Sequence, residues 1–141
     1  MKSELKSIFT MTLAICAILG TSAQAQWNPK TSCGALGGYE LENCLANELV
    51  TADSALNAAY KRAEDMVAAS QTGADQKKAW LDKFVTAQRA WIAFRDANCN
   101  FDLIGAEFNF GSATTASQQE CTLEMIQQRT QELQNRYQTS K

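Results

Sequence analysis

A helical repeat of apolar residues in two long segments constrains the fold more than any other feature of the sequence. From Glu40 onward, one apolar residue recurs every three or four positions: Leu41, Leu45, Leu49, Ala52, Leu56, Tyr60, Ala63 and Val67. Residues with this spacing share one face of an α-helix, so a first helix is predicted to run to about Ser70. The same spacing returns after Gly73, at Trp80, Phe84, Ala87, Trp91 and Phe94. It predicts a second helix that follows the glycine and is capped by Asp75.

The second helix carries another row beside this stripe. The row consists of Leu81, Val85, Gln88, Ile92 and Arg95. A helix that is apolar over so wide an arc is expected to contact two neighbours, which makes it the central helix of the domain. Trp91 and Phe94 are therefore interpreted as core residues.

A third helix is predicted from about Ser117, where one face is formed by Thr122, Ile126, Arg129, Leu133 and Tyr137. Residues 100–116, with Gly105 and Gly111, show no steady period and are predicted to form a loop that is long for a compact domain. A stretch with the sole proline, Pro29, precedes the first helix and is expected to be irregular. The fold class is therefore all-α, a small three-helix up-down-up bundle.

Residues 1–25 have the layout of a secretory signal peptide. Lys2 and Lys6 precede an apolar run from Ile8 to Leu19, and the segment closes on Ala23-Gln24-Ala25. We expect cleavage after Ala25, because the apolar run is shorter than the roughly 20 residues of a transmembrane helix. Acylation at Cys16 is the alternative. A single domain over residues 26–141 is then predicted to be periplasmic or secreted.

Four cysteines remain after cleavage: Cys33, Cys44, Cys99 and Cys121. An even number in a small exported domain predicts two disulfides, and the up-down-up order places all four at one end of the bundle. We favour Cys33 with Cys44 and Cys99 with Cys121, while the other two pairings stay open. A metal site is the alternative, but the chain has no Cys-x-x-Cys pair and no histidine. We expect no metal and no cofactor.

The charge and the missing histidine narrow the function classes. The chain has a net charge of −2, and losing a leader with two lysines and one glutamate makes it one unit more negative. That sign argues against nucleic acid or an anionic membrane as a partner. Without histidine, the commonest general base and the Ser-His and Cys-His nucleophiles are unavailable. We therefore predict a protein that is not an enzyme, with chemistry by carboxylates such as Asp53 and Asp96 as the remaining enzymatic alternative.

Several polar residues fall where two helices are expected to meet. Arg95 lies in a row that should face another helix, and a buried charge needs partners. We interpret the following residues as a polar network that fixes helix register, with a ligand site as the alternative: Asp53, Asn57, Gln88, Arg95 and Arg129.

The sequence resembles a known family in the order "C…C…ADSALNAAY…AQRAWIAFRDANC…C…QRTQEL". This order is similar to the LprI-type lysozyme-inhibitor domain family of small exported helical proteins. The resemblance runs from Cys33 through the rest of the chain. It implies a periplasmic or secreted protein whose partner is a protein, which for part of the family is a lysozyme.

The 100–116 loop is the candidate partner-binding site. Its phenylalanines alternate with acidic residues, in the set Phe101, Asp102, Glu107, Phe108 and Phe110. Blocking a lysozyme's catalytic cleft with such a loop is one physical route to inhibition. In the alternative interpretation, these phenylalanines fold back onto the bundle end. The function hypotheses are thus an exported binding protein of the lysozyme-inhibitor type and, as the alternative, a structural or assembly module of the cell envelope.

Overall fold

The residues that the structure describes form a bundle of three α-helices. The computed structural model describes the backbone of residues 27–106 and 112–137, and the side chains of residues 27–100 and 115–137. The helices are α1 (Gly38–Ala69), α2 (Ala74–Ala106) and α3 (Ser112–Arg136), and these ranges contain no strand. The predicted all-α up-down-up bundle is confirmed. Within the described residues, no helix has both the length and the apolar character needed to cross a membrane.

Local chemistry sets the ends of α1. Gly38 has φ +55°, a left-handed conformation that favours glycine, where the irregular segment of residues 27–37, the lead-in, turns into the helix. At the other end, Ser70 is extended, and both its amide and its hydroxyl donate to the Val67 carbonyl, at 3.1 and 2.7 Å. Lys77 of α2 donates to the Ala68 carbonyl at 2.7 Å. These bonds satisfy carbonyls that a helix end leaves without partners, so the chain can turn within a few residues.

The start of α2 differs slightly from the sequence prediction. The helix begins at Ala74, so Asp75 lies in its first turn instead of at the cap. Gln76 accepts a hydrogen bond from the Gly73 amide at 3.0 Å. Asp75 still lies where the positive end of the helix dipole favours a carboxylate.

The central helix is α3, and the prediction that α2 is central is wrong. Contacts of α1 are mostly with α3, and α2 likewise packs mainly on α3, whereas α1 and α2 meet only sparsely. Buried side chains of α3 point toward both neighbours: Ala116, Cys121, Leu123, Met125, Ile126, Thr130 and Leu133. Among its described side chains, α2 buries only Phe84 and Cys99. Because α3 covers only part of the apolar arc of α2, the rest of that arc faces solvent.

The exposed part of α2 includes a residue predicted to be in the core. Phe94 is 60% exposed, and Trp80 and Ile92 are also exposed. Trp91 is half-buried and packs against the core. Phe94 therefore corrects the core prediction, because it lies on the side of α2 that turns away from α3.

The predicted loop of residues 100–116 is also wrong in extent. The α2 backbone continues to Ala106 and α3 starts at Ser112, so most of this stretch is helical. Gly105 lies within α2, where a glycine costs about 1 kcal/mol relative to alanine. The extension is supported by a hydrogen bond of 2.6 Å from the Gln118 amide to the Asn100 side-chain oxygen, which joins the two helices.

Both disulfides form with the favoured pairing. Cys33 bonds to Cys44, and Cys99 bonds to Cys121, with Cα–Cα distances of 5.8 and 5.6 Å. The first attaches the lead-in to α1, and the second attaches α2 to α3. The predicted disulfides at one end of the bundle are confirmed.

Candidate functional site

A polar cluster lies between α2 and α3, and we call it the polar seam: Gln88, Trp91, Arg95, Asp96, Arg129 and Glu132. Two guanidinium groups, one from α2 and one from α3, lie beside the Trp91 ring. The guanidinium carbon of Arg95 lies 5.4 Å from the ring centroid, and that of Arg129 lies 5.8 Å away. Both distances fall within the range of cation–π attraction. A tryptophan in the apolar stripe of α2 thus holds two cations near the helix interface.

Arg129 provides the direct polar link between the two helices. Its Nε donates to the side-chain oxygen of Gln88 at 3.1 Å, and its Nη1 lies 2.7 Å from a carboxylate oxygen of Glu132. The Arg129 side chain is only 10% exposed, so its charge depends on these partners and on the Trp91 ring. Glu132 also accepts from Arg136 at 2.8 Å. Arg129 therefore combines an inter-helix hydrogen bond with an ion pair on its own helix.

Arg95 has a different environment from the one predicted. It pairs with Asp96, the next residue on its own helix, at 2.7 Å, and its side chain is 17% exposed. Asp53 and Asn57 of α1 are both exposed, and neither has a hydrogen bond to Arg95 or Arg129. Of the five residues in the predicted network, the structure brings together Gln88 and Arg129 directly and Arg95 through Trp91. It does not bring in Asp53 or Asn57.

An aromatic cluster joins α1 and α2 to Tyr137, the residue that follows α3, nearer the turn between α1 and α2. The rings of Tyr60 and Phe84 stack with centroids 4.5 Å apart, and Tyr137 meets Phe84 edge-on at 5.7 Å. Burial raises the pKa of Tyr60, and the nearby Glu64 carboxylate raises it further, while Arg89 and Arg129 act in the opposite direction. Ionising the Tyr60 hydroxyl therefore requires a higher pH than for an exposed tyrosine.

The irregular lead-in crosses the outer side of α3. The amide of Asn28 donates to Glu124 at 2.7 Å, and the Lys30 backbone exchanges two hydrogen bonds with the Gln127 side chain, at 2.9 and 2.7 Å. Trp27 packs beside the Cys99–Cys121 disulfide and Met125. This packing closes the apolar core on the side where α2 and α3 are joined.

The predicted partner-binding residues lie around the α2–α3 connection. Phe101 and Asp102 belong to the last turns of α2, where the backbone alone is described. Glu107, Phe108 and Phe110 lie outside the described residues. The disulfide at Cys99 and Cys121 and the hydrogen bond between Asn100 and Gln118 fix both ends of this connection.

A cavity of about 620 Å³ opens between α1, α3 and the lead-in. Its lining is rich in side-chain amides: Asn28, Lys30, Ala52, Ala55, Glu124, Gln127, Gln128, Thr130, Gln131, Glu132 and Gln134. Its two carboxylates are already hydrogen-bonded, that of Glu124 to the Asn28 amide and that of Glu132 to arginines. Asp53 and Asp96, the carboxylates of the enzymatic alternative, are exposed and do not line it. In the described part of the chain, no group of three or more Cys, Asp or Glu residues is arranged to hold a metal ion.

Two parts of this arrangement were not predicted from the sequence. Glu132 lies three residues after Arg129, a helical ion-pair spacing visible in the sequence. Exposed apolar residues of α1, Tyr39 and Val50, were also missed. Both lie outside the core-facing stripe, in a second row with its own helical spacing, and that spacing is the signal that reveals them.

Comparison with known proteins places these features in one family. A relative from Rhizobium meliloti (strain 1021), named as an uncharacterized protein, is 29% identical over 132 residues, which cover 87% of this chain and 88% of the relative. No solved structure matches the chain. The family model "Lysozyme inhibitor LprI" matches residues 33–133, a span that begins at the first disulfide cysteine and includes the polar seam. The chain therefore belongs to the LprI lysozyme inhibitor family.

Proposed function

We propose that this protein is an exported, non-enzymatic inhibitor that binds a lysozyme through the segment between Cys99 and Cys121. The observation that carries the proposal is the family match over residues 33–133, which contains both disulfides and the whole of that segment. Export is supported by the leader pattern of residues 1–25, which lie outside the described residues, and by the two disulfides, which are typical of oxidising compartments.

The fixed ends of the segment support a binding role. A flexible segment loses about 1–2 kcal/mol of conformational free energy for each residue that becomes ordered on binding. Here α2 runs to Ala106 and α3 starts at Ser112. The disulfide joins Cys99, seven residues before the end of α2, to Cys121, nine residues after the start of α3. Much of the ordering is thus complete before a partner arrives, which favours tight binding.

The test is a cell-wall lysis assay with lysozymes of animal and bacterial types and the oxidised protein in excess. We expect inhibition of at least one type. Replacing Phe108 and Phe110 by serine should abolish it with helicity unchanged, whereas Phe94→Ser, which alters an exposed phenylalanine on the side of α2, should leave it intact. Full activity of every lysozyme at high inhibitor excess would refute the proposal.

An assembly role in the cell envelope is the second candidate, and the exposed aromatic residues of α2 favour it. Trp80, Ala87 and Phe94 are spaced seven residues apart and are all exposed, so they form an apolar stripe along one side of the helix. Such a stripe fits self-association through paired helices. Analytical ultracentrifugation distinguishes the candidates, because an assembly module should form dimers that Phe94→Ser abolishes. A wild-type protein that stays monomeric at high concentration would exclude self-association.

A further inference from the structure

The first half of α1 presents an exposed row that packs against nothing in the described structure. We call it the α1 row: Tyr39, Asn43, Ala46, Val50 and Asp53. Its members are spaced four, three, four and three residues apart, so they share one helix face, and all are exposed. Tyr39 is 79% exposed and Val50 is 71% exposed, the two highest values among the exposed large apolar side chains. The row thus has apolar side chains that the fold itself does not use.

The charge around the α1 row has one sign. Between Lys30 and Lys61 the sequence has no lysine or arginine and four carboxylates. One of them, Glu48, accepts a hydrogen bond from the Ser32 hydroxyl of the lead-in at 2.9 Å. Glu40 and Asp53 have no ion pair among the described residues. The surface therefore combines exposed apolar groups with uncompensated negative charge.

We propose that the α1 row is a docking surface for a cationic patch on the lysozyme that this protein inhibits, an inference that rests on the proposed function. Interfaces commonly place an aromatic or aliphatic anchor at the centre and charged groups at the rim. Tyr39 and Val50 supply the anchor here, and Glu40 and Asp53 supply the rim. A basic partner surface completes this arrangement, since the carboxylates then gain counter-charges and steer the encounter.

The sign of the charge also distinguishes this occupant from a second copy of the chain. Pairing two α1 rows would bring like charges together, which disfavours the contact. The exposed stripe of α2 lies near charge of the opposite, positive sign, because Lys83 and Arg89 lie on that helix without ion-pair partners among the described residues. A cationic partner is thus favoured on α1 and disfavoured on α2.

The position of the row is consistent with a partner at the disulfide end of the bundle. Ala116, near the start of α3, packs in one cluster with Cys33 and with Leu45 of α1. In the up-down-up order α1 and α3 run in the same direction and pack on each other, so the start of α1 lies beside the start of α3. A globular partner that contacts this end is close enough to reach the α1 row as well.

The test measures binding of the oxidised full-length mature protein to immobilised lysozymes of animal and bacterial types. The apolar variants are Tyr39→Ser and Val50→Ser, with Phe94→Ser as the matched control on another exposed face. The charge variant is Asp53→Lys, with Asp75→Lys, an exposed carboxylate at the opposite end of the bundle, as its control. We expect each α1 variant to raise Kd by about tenfold or more, the range of interface hot spots, while the controls change it by less than about twofold.

Salt provides a second measurement. Raising the ionic strength should slow association of the wild type, and Asp53→Asn, an isosteric change that keeps the helix, should reduce that dependence. If the wild type binds a lysozyme but the α1 variants bind equally well, the docking surface is elsewhere, and the proposed inhibition stands. If the wild type binds no lysozyme of either type, both the docking surface and the proposed function are refuted.

Discussion

Replacing Arg129 by alanine should destabilise the protein more than replacing any other single arginine. Arg129 is 10% exposed and has three attachments: the Gln88 amide oxygen at 3.1 Å, the Glu132 carboxylate at 2.7 Å and the face of Trp91. A hydrogen bond to a charged group contributes about 1.5–3 kcal/mol, a cation–π contact about 0.5–2 kcal/mol, and a half-exposed ion pair less than about 1 kcal/mol. Because these contributions are not additive, we expect a loss of about 2–4 kcal/mol in the free energy of unfolding.

Arg95→Ala provides the comparison. Arg95 also lies over Trp91, but its ion pair is with Asp96, whose side chain is 54% exposed. When Arg95 is removed, the Asp96 carboxylate remains hydrated by water, so no buried charge is left unpaired. The loss should therefore be about 1 kcal/mol, from the cation–π contact and a weak exposed pair. A buried ion pair at Arg95, as predicted from the sequence, would instead cost about 3–5 kcal/mol to break.

The assay is urea unfolding followed by circular dichroism at 222 nm, with the disulfides intact. Arg89→Ala is the control, because Arg89 is an exposed arginine on α2, the helix of Arg95, and has no contact with Trp91. Its effect should stay within about 0.5 kcal/mol. Equal destabilisation by the Arg95 and Arg129 variants, or a larger effect of Arg95→Ala, would show that the polar seam does not depend on Arg129 as argued.

Burial and connectivity also determine how Glu120, the Cys99–Cys121 disulfide and Leu123 affect stability. Burial raises the pKa of Glu120, so the free energy of unfolding is greatest at low pH, where the carboxyl is neutral, and falls as pH rises through that pKa. Glu120→Gln should therefore raise Tm at pH 7. The gain should vanish below about pH 4, where glutamate and glutamine are both neutral. Replacing Cys99 and Cys121 by serine opens a link between residues 22 apart in sequence and should cost about 3 kcal/mol in urea unfolding, whereas a loss below 1 kcal/mol would contradict the constraint. Leu123→Ala, in the centre of α3, should cost about 2–5 kcal/mol, against less than about 1 kcal/mol for Ile92→Ala on α2, and the reverse order would contradict a central α3.

The helices and disulfides were predictable because they depend on local sequence patterns. The repeat from Leu41 to Val67 fixes α1 and the face that it buries, and its end near Ser70 follows from local turn chemistry. An even number of cysteines at one end of an up-down-up order favoured the pairing that the structure has. These features depend on neighbours in sequence and on connection lengths, so a single sequence carries enough information.

The central helix was not predictable from the same patterns. The described part of α2 has the larger aromatic residues, whereas α3 has glutamines and threonines between its apolar positions. Apolar content therefore pointed to α2. The structure resolves this through packing: Thr130 is buried on α3 with its hydroxyl bonded to the Ile126 carbonyl, so a polar residue sits in the core at little cost. Phe94 remains exposed because the partner helix lies on the other side of α2.

The partners of the predicted polar residues depend on helix rotation, which periodicity alone does not fix. Gln88 and Arg129 face each other, but Asp53 lies on the exposed face of α1 and not beside Arg95. A rotation of one residue, about 100°, decides between the two arrangements. The sequence could therefore predict which residues are polar near an interface, and the structure was needed to show which of them meet.

The polar seam and the first half of α1 differ in how their charges are compensated. Arg95 and Arg129 have their charges compensated within the polar seam by Asp96, Glu132 and the Trp91 ring. Exposed charge on the first half of α1 has no such compensation, because that segment contains carboxylates and no cation. These carboxylates give a net negative potential to the face proposed to meet a cationic partner. On this reasoning, a change at Arg129 alters stability first, and a change at Asp53 alters association without altering stability.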